Sequence, residues 1–385
     1  MKTILYRFGI TFMAVLLGVI LITGITMMGE ASTGPVDDLL TDLGNGVSAI
    51  ENKLIIEERM DSRTKSLVWL NKYRTNAQEL KNPDKILFGA YDNSSSETFE
   101  GIVSLEKKLH TTLPLIHLYT AWGGSPAEQF PMKKLRAICN LGSIPVVTWE
   151  PWLTSFAPEK YPLLENIEKR DINGLQSIAK GNYDFYISEW AKNAKKLEKT
   201  FFIRFGHEMN DPYRYPWGPQ NNKAEDYKAA WKHIVDIFRK EEATNVIWIW
   251  SPHPAYKNYN DYYPGDEYVD WIGTGILNYG TVATWSQWWS FKEIFNNFYV
   301  ETSTYKKPIM ISELGCLNVG GDRAAWYTDF FSSLKTEYPM VKSILFYHSS
   351  DDQTTTNKSL DWQFKNDSIT LVSINYSLKN IEIKK

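Results

Sequence analysis

The sequence predicts an eight-fold β/α barrel, and three observations carry that reading. Short apolar runs recur eight times, amphipathic helical stretches lie between them, and the fourth and seventh runs carry a glutamate at or near their ends. The runs are ILFGAY (86–91), PLIHLYTAW (114–122), SIPVVTWEPW (143–152), TFFIRFGHE (200–208), NVIWIWSPH (245–253), VDWIGTGILNYG (269–280), PIMISELG (308–315) and SILFYHSS (343–350). Strand-like runs alternating with helices over about 300 residues fit a barrel of this type. The clearest helix is 224–242, where Tyr227, Trp231, Ile234, Val235 and Phe238 share one face; Ile187, Trp190, Ala191, Ala194 and Leu197 do the same in the helix before it. A doubly wound open sheet is the alternative. It calls for a glycine-rich phosphate turn after its first strand, and FGAYDNSSS is not one.

The chain of 385 residues is 43% hydrophobic and 23% charged, which is globular composition, and its net charge of −3 gives no reason to expect nucleic acid. Fifteen Trp and 22 Tyr are many for a soluble domain. They point either to a large aromatic core or to rings that stack against sugar faces. Between Arg7 and Glu30 run 22 uncharged, mostly apolar residues, with Lys2 and Arg7 in front. That length spans a bilayer as a helix and exceeds the apolar part of most cleaved signal peptides. Gly29 and Ala31 nevertheless suit cleavage after Ala31. Either way the remainder is exported. The expected location is extracytoplasmic, secreted or membrane-anchored by the N-terminal helix.

The expected division is therefore 1–31 as signal peptide or signal anchor, 32–83 as a stalk broken by GPVDD and GNG, and 84–385 as the barrel. Cys139 precedes a strand and Cys316 follows one, which puts them at opposite ends of the barrel and predicts that both are free.

In such a barrel the chemistry sits at the C-terminal ends of the strands. Side chains alternate along a strand, so Arg204, Gly206 and Glu208 share one parity, as do Ile309, Ile311 and Glu313. Both glutamates are expected to point inward at the rim. Two carboxyl groups flanking one anomeric carbon are what glycosidic cleavage requires, at about 5 Å for a retaining reaction. Glu208, beside His207 and followed by aromatic residues, is assigned general acid/base. Glu313, within reach of Arg204 and Tyr279, is assigned nucleophile.

FIRFGHEMN (202–210 with its neighbours), followed by YPWG, resembles the fourth-strand motif of glycoside hydrolase family 26, the β-mannanase and mixed-linkage β-glucanase family. The resemblance runs from about residue 84 to DWQF at 361–364. It implies a (β/α)8 barrel and a retaining mechanism, with Glu208 as acid/base and Glu313 of ISELG as nucleophile. It further implies that His207, Trp217 of the PWG element and Tyr279 of LNYG belong to the site. The chain departs from the motif in having Asp211 and the longer link DPYR after HEMN. Mannanases of the family carry His after Trp at the end of strand three, where this chain has Trp149 followed by Glu150. That leaves glucan or another β-glycan open beside mannan.

Substrate contacts are expected from His207, Arg204, Asn210, Trp217, Tyr279, Trp149, Glu150, Trp122, Trp285 and Trp362. Glu150 is a third rim carboxylate, read as a sugar-hydroxyl ligand. Trp122, Trp152, Trp285, Trp288 and Trp289 lie in strand-to-helix loops, and Trp362 follows strand eight. His253 and His348 end strands five and eight and are further rim candidates. HEMND begins like a zinc-protease HExxH, but Asp211 replaces the second His and the segment reads as strand, so neither metal nor cofactor is expected. The partner is a polysaccharide, with the membrane involved only through the N-terminal segment and the chain monomeric. The leading reading is a retaining endo-β-glycanase. A silent sugar-binding barrel and a transglycosylase with the same residues are the alternatives.

Overall fold

Each apolar run becomes one strand of a parallel sheet that helices cover on its outer face. In the computed structural model, which describes residues 2–26, 35–94, 97–353, 355–356 and 358–383, the strands are β1 (Leu87–Asp92), β2 (Leu115–Ala121), β3 (Ile144–Glu150), β4 (Phe201–Phe205), β5 (Val246–Trp250), β6 (Trp271–Asn278), β7 (Ile309–Cys316) and β8 (Val341–His348). Neighbours pair in sequence order and β8 returns to β1, closing the barrel. The helix Ala224–Lys240 buries Tyr227, Trp231, Ile234, Val235 and Phe238, the face its period predicts. The helix Asp184–Leu197 likewise buries Ile187, Trp190, Ala191, Ala194 and Leu197. Cys139 and Cys316 are both free.

The barrel interior is layered. Leu87, Leu115, Ile144, Val146, Phe202, Ile247, Ile249, Trp271, Met310 and Leu345 fill its lower part, and Leu70, Tyr73 and Leu80 pack into the same cluster. Trp271 Nε1 donates to the Leu80 carbonyl at 3.0 Å, tying that plug to β6. A polar layer lies above, where His117 Nε2 and Thr148 Oγ1 are 2.7 Å apart and Arg204 donates to Ser251 Oγ at 2.9 Å.

The plug alters the expected domain division. The chain separates into Met1–Leu54 and Ile55–Lys385, so residues 55–83, expected as stalk, belong to the barrel unit. Arg63 shows why. It is buried, donates from Nε to the Leu141 carbonyl at 2.8 Å and from Nη2 to Ser143 Oγ at 2.6 Å, and pairs with the buried Glu106. The glycines of GNG do not break the chain either, because the helix Pro35–Arg63 runs through them. A helical glycine costs only about 1 kcal/mol, and Pro35 holds the first helical position, where its missing N–H is harmless. Residues 2–26 are helical, while 27–34, with the expected cleavage point at Ala31, lie outside the described residues. Among the described residues no helix is long and apolar enough to cross a membrane.

A chain beginning at residue 55 should unfold cooperatively in urea, whereas one beginning at residue 84, lacking Arg63, Leu70, Tyr73 and Leu80, should not. Within the intact chain, Arg63→Ala should cost about 3–5 kcal/mol by stranding the Glu106 carboxylate. Denaturation followed by fluorescence or circular dichroism measures both.

Candidate active site

Glu208 does not sit on a strand. β4 ends at Phe205, and the chain then turns through Gly206 at φ 48° and Glu208 at φ 54°. A left-handed backbone is costly for a residue with a side chain and persists only where neighbours enforce it. Here the enforcement comes from both flanks. Gly206 N donates to the Trp149 carbonyl of β3 at 3.1 Å, and Glu208 N to the Ser251 carbonyl just past β5 at 2.7 Å. Trp217 Nε1 donates to the His207 carbonyl at 2.7 Å from beneath. The turn, rather than strand alternation, aims the Glu208 carboxyl inward.

Glu313 reaches the interior by a different irregularity. Ile309 and Ile311, expected to share its inward face, pack outward with the helices, and Met310 faces in. The register of β7 shifts between Ile311 and Leu314 against β8, and β6 shifts between Thr274 and Gly275 against β7. A bulge adds a residue and flips the parity beyond it, which brings Glu313 inward opposite Gly275. A Cβ placed on Gly275 would lie 3.0 Å from Glu313 Oε2 and 3.5 Å from Glu208 Oε1, so the two carboxylates converge over this glycine. Their facing oxygens are no farther apart than those two distances added together.

The environments of the two differ. Glu313 is buried and accepts from Arg204 Nη1 and from Tyr119 Oη, the latter at 2.6 Å. Burial opposes its charge, but the Arg204 guanidinium and these hydrogen bonds outweigh it and hold the carboxyl well below its usual range. Arg204 itself is fully buried and fixed by Ser251 Oγ and, at 3.3 Å, Thr148 Oγ1. Glu208 accepts at Oε2 from Arg214 Nη1 at 3.2 Å. Glu150 ends β3 nearby; burial pushes its carboxyl up to about 7, against the opposing hydrogen bond from Trp152 Nε1 at 3.1 Å. His207 lies between them with Nε2 3.0 Å from Tyr215 Oη, and burial with Arg204 keeps its imidazole neutral. Glu208, Asp211 and His253 bring ligand-type atoms within 4.8 Å of one another, and Arg214 donates to Glu208 Oε2 beside them.

Several expected substrate contacts prove to be supports. Trp122 and Trp149 are fully buried on the outer side of the sheet, their rings 4.6 Å apart, with Trp149 stacked 4.4 Å from Trp190. Trp149 alternates outward because Thr148 and Glu150 point in; both tryptophans are core, not subsite. Arg204, His207 and Trp217 are buried. Asn210 clamps the segment after β5, donating to the His253 and Tyr256 carbonyls at 3.1 and 2.6 Å. Tyr279 does not bond Glu313; its hydroxyl pairs with Thr355 at 3.0 Å, and Tyr119 takes the expected role. Trp362 is fully buried under Tyr279, its Nε1 bonded to Asp352 Oδ2 at 2.8 Å. Trp285 is 57% exposed and remains available to a ligand. His348 faces away from the crevice and pairs with the buried Asp92.

Two residues of the site, Tyr119 and Arg214, stand outside the sequence motifs. Leu115, His117 and Tyr119 share the inward parity of β2, so the rule that found Arg204 would have found Tyr119. Arg214 lies in the DPYR link, which only its length singles out.

A family model described as glycosyl hydrolase family 26 matches residues 145–359. Endoglucanase H of Acetivibrio thermocellus is 32% identical over 271 residues, covering 68% of this chain and 27% of that protein. A mannan endo-1,4-β-mannosidase of Bacillus subtilis strain 168 is 26% identical over 177 residues, covering 43% of this chain and 44% of that protein. The chain thus spans under half the length of either relative. Among solved structures, GH26C from Muricauda sp. MAR_2010_75 superposes with a TM-score of 0.55 at 20% identity, over 77% of this chain and 87% of that one, a likeness of fold. With the family model matching more than half of the chain, and the paired glutamates standing where its barrel opens, this chain belongs to glycosyl hydrolase family 26.

Proposed function

We propose that the chain is a retaining endo-β-glycanase that cleaves a β-1,4-linked glucan or mannan. The observation that carries this reading is the convergence of Glu208 and Glu313 over Gly275. Retaining enzymes hold their carboxyls about 5–5.5 Å apart and inverting ones about 6.5–9.5 Å, and the upper bound set at Gly275 falls at the bottom of the inverting range. Relatives named endoglucanase and mannan endo-1,4-β-mannosidase support the backbone linkage.

Glu313 acts as the nucleophile. Arg204 and Tyr119 keep it ionised, and they also hold one oxygen so that the other, Oε2, faces the anomeric carbon. Attack breaks the glycosidic bond and leaves a glycosyl ester on Glu313, while Glu208 gives its proton to the departing oxygen. Glu208 then takes a proton from water, which attacks the ester and restores the nucleophile. The exposed rings of Trp285 on one side and Tyr213 on the other, the latter 6.0 Å from Tyr256, offer flat apolar faces to a polymer lying across the barrel mouth.

Glu313→Ala should abolish nearly all release of reducing ends from β-glucan or mannan while retaining polymer binding by affinity electrophoresis; a variant with most of its rate intact would sink the assignment. Glu208→Ala should lose about 10²–10⁴-fold on natural polymer and far less on an aryl glycoside whose leaving group needs no proton. Both sets of rates come from steady-state assays.

Glu150 generates a stability prediction. Its carboxyl has an ordinary value of 4.5 and is pushed up to about 7 in the fold. Between those values the native chain binds more protons than the unfolded one, so stability falls as pH rises through that window. Glu150→Gln should lose this contribution. Its thermal midpoint relative to wild type should therefore rise between about pH 4.5 and about pH 7, which differential scanning fluorimetry measures.

A further inference from the structure

The turn that carries Glu208 also holds a row of rings. Asn210 and Asp211 follow Glu208 within three residues. Asn210 donates to the carbonyls of His253 and Tyr256 at 3.1 and 2.6 Å and accepts the His253 N–H at 2.7 Å. Asp211 Oδ1 accepts the Tyr213 N–H at 2.8 Å, which fixes the DPYR link where this chain departs from the family motif. The rings held in this way form a line. The centres of His253 and Tyr256 are 4.8 Å apart, and those of Tyr256 and Tyr213 are 6.0 Å apart. The line begins beside the acid, since a ring nitrogen of His253 and an oxygen of Glu208 lie within 4.8 Å of each other. It ends in solvent at Tyr213, which is 80% exposed.

A ring pinned by its own backbone yet left in water contributes little to the fold. Its flat apolar face suits the C–H face of a pyranose, and its hydroxyl suits the sugar's rim. The chemistry of the two glutamates says which sugars lie there. Glu208 protonates the oxygen that departs with the leaving sugar, so the sugars joined through that oxygen extend past Glu208. Glu313 takes its hydrogen bonds from Tyr119 of β2 and Arg204 of β4, neither of which belongs to the line. Because Asn210 and Asp211 tie all three rings to the Glu208 turn, a sugar stacked on them is held at a set position relative to the acid.

We propose that His253, Tyr256 and Tyr213 form a subsite for sugars on the leaving-group side, and that once the first product has left, this subsite admits a β-glycan end as acceptor, so that the enzyme transfers glycosyl units as well as hydrolysing. The inference rests on Glu208 being the acid/base and Glu313 the nucleophile. In the transfer step a hydroxyl of the acceptor attacks the anomeric carbon of the glycosyl ester. Its proton passes to Glu208, the ester bond to Glu313 breaks, and a new glycosidic bond forms as the Glu313 carboxylate is restored. Water takes the same path in hydrolysis. A sugar stacked on the rings competes with it because its hydroxyl is already held beside the ester.

The test uses two donors that fill the leaving side differently: β-cellobiosyl or β-mannobiosyl fluoride, which places no sugar there, and the matching pentasaccharide. Wild type, Tyr213→Ala, Tyr213→Phe and Tyr256→Ala are assayed for kcat/KM on each donor, and for products when the fluoride is supplied with the matching tetrasaccharide. The ratio of the pentasaccharide rate to the fluoride rate should fall about tenfold in Tyr213→Ala, the order expected for one lost aromatic contact, and should recover in Tyr213→Phe. Wild type should give β-linked products longer than the tetrasaccharide by mass spectrometry, and their yield relative to hydrolysis should fall in Tyr213→Ala and Tyr256→Ala. Absence of longer products at every acceptor concentration overturns the transfer. If the donor ratio and the transfer yield are the same in wild type and both alanine variants, the subsite falls and the hydrolase stands. If wild type turns over neither donor, the hydrolase falls, and tetrasaccharide binding to Glu313→Ala and to its double variant with Tyr213→Ala decides the subsite. Weaker binding by the double variant keeps it; equal binding removes it.

Discussion

The site depends on the ion pair between Arg204 and Glu313. A barrel interior is normally filled with branched apolar side chains, and this one is, up to the level of Phe202 and Met310. One layer higher the packing turns polar because a guanidinium is held there out of water. Once Arg204 is buried, Thr148 and Ser251 must accept from it, His117 must sit on Thr148, and Glu313 must carry its charge. Losing one member of a buried pair leaves the other uncompensated at about 3–5 kcal/mol, so the fold and the Glu313 carboxylate are secured by the same contact.

Both glutamates are delivered by departures from regular geometry. Glu208 hangs on a left-handed turn clamped by the strands on either side, and Glu313 on a bulge. A regular strand places side chains at fixed spacings along the barrel axis. A turn and a bulge can place two carboxyls at one height from strands that do not neighbour each other. Gly275, on the strand between Glu313 and the β5 edge, leaves room for them to meet.

Regular geometry is legible in a sequence and irregular geometry is not. The eight strands and the amphipathic helices could be read because burial imposes a period, and Tyr227, Trp231 and Phe238 obey it. Strand parity counted from Ile309 puts Glu313 inward only by putting Ile309 and Ile311 inward too, and both face the helices; the bulge makes the difference. No pattern in PIMISELG announces that extra residue. The tryptophans misled for a related reason. Trp122 and Trp149 lie near the rim in sequence, yet alternation sends Trp149 outward into the helical layer, and Trp122 joins it there. The boundary at residue 55 is hidden because charges dominate 47–80, while scattered buried residues such as Arg63, Leu67, Leu70, Tyr73 and Leu80 carry the packing.

The seam between β1 and β8 has a consequence for how the molecule comes into being. Six residues, Leu87 to Asp92, pair with Ser343 to His348, and the buried Asp92 and His348 side chains meet at its upper end. Those two residues are 256 positions apart. During synthesis the first strand leaves the ribosome long before its partner exists, and its outer edge stays unsatisfied until nearly the whole chain has emerged. Loop closure over such a distance is slow, and an unpaired edge is the part of a sheet most prone to pairing with the wrong chain. Until this seam closes, the nascent barrel carries an open strand edge of the kind that pairs readily with other chains.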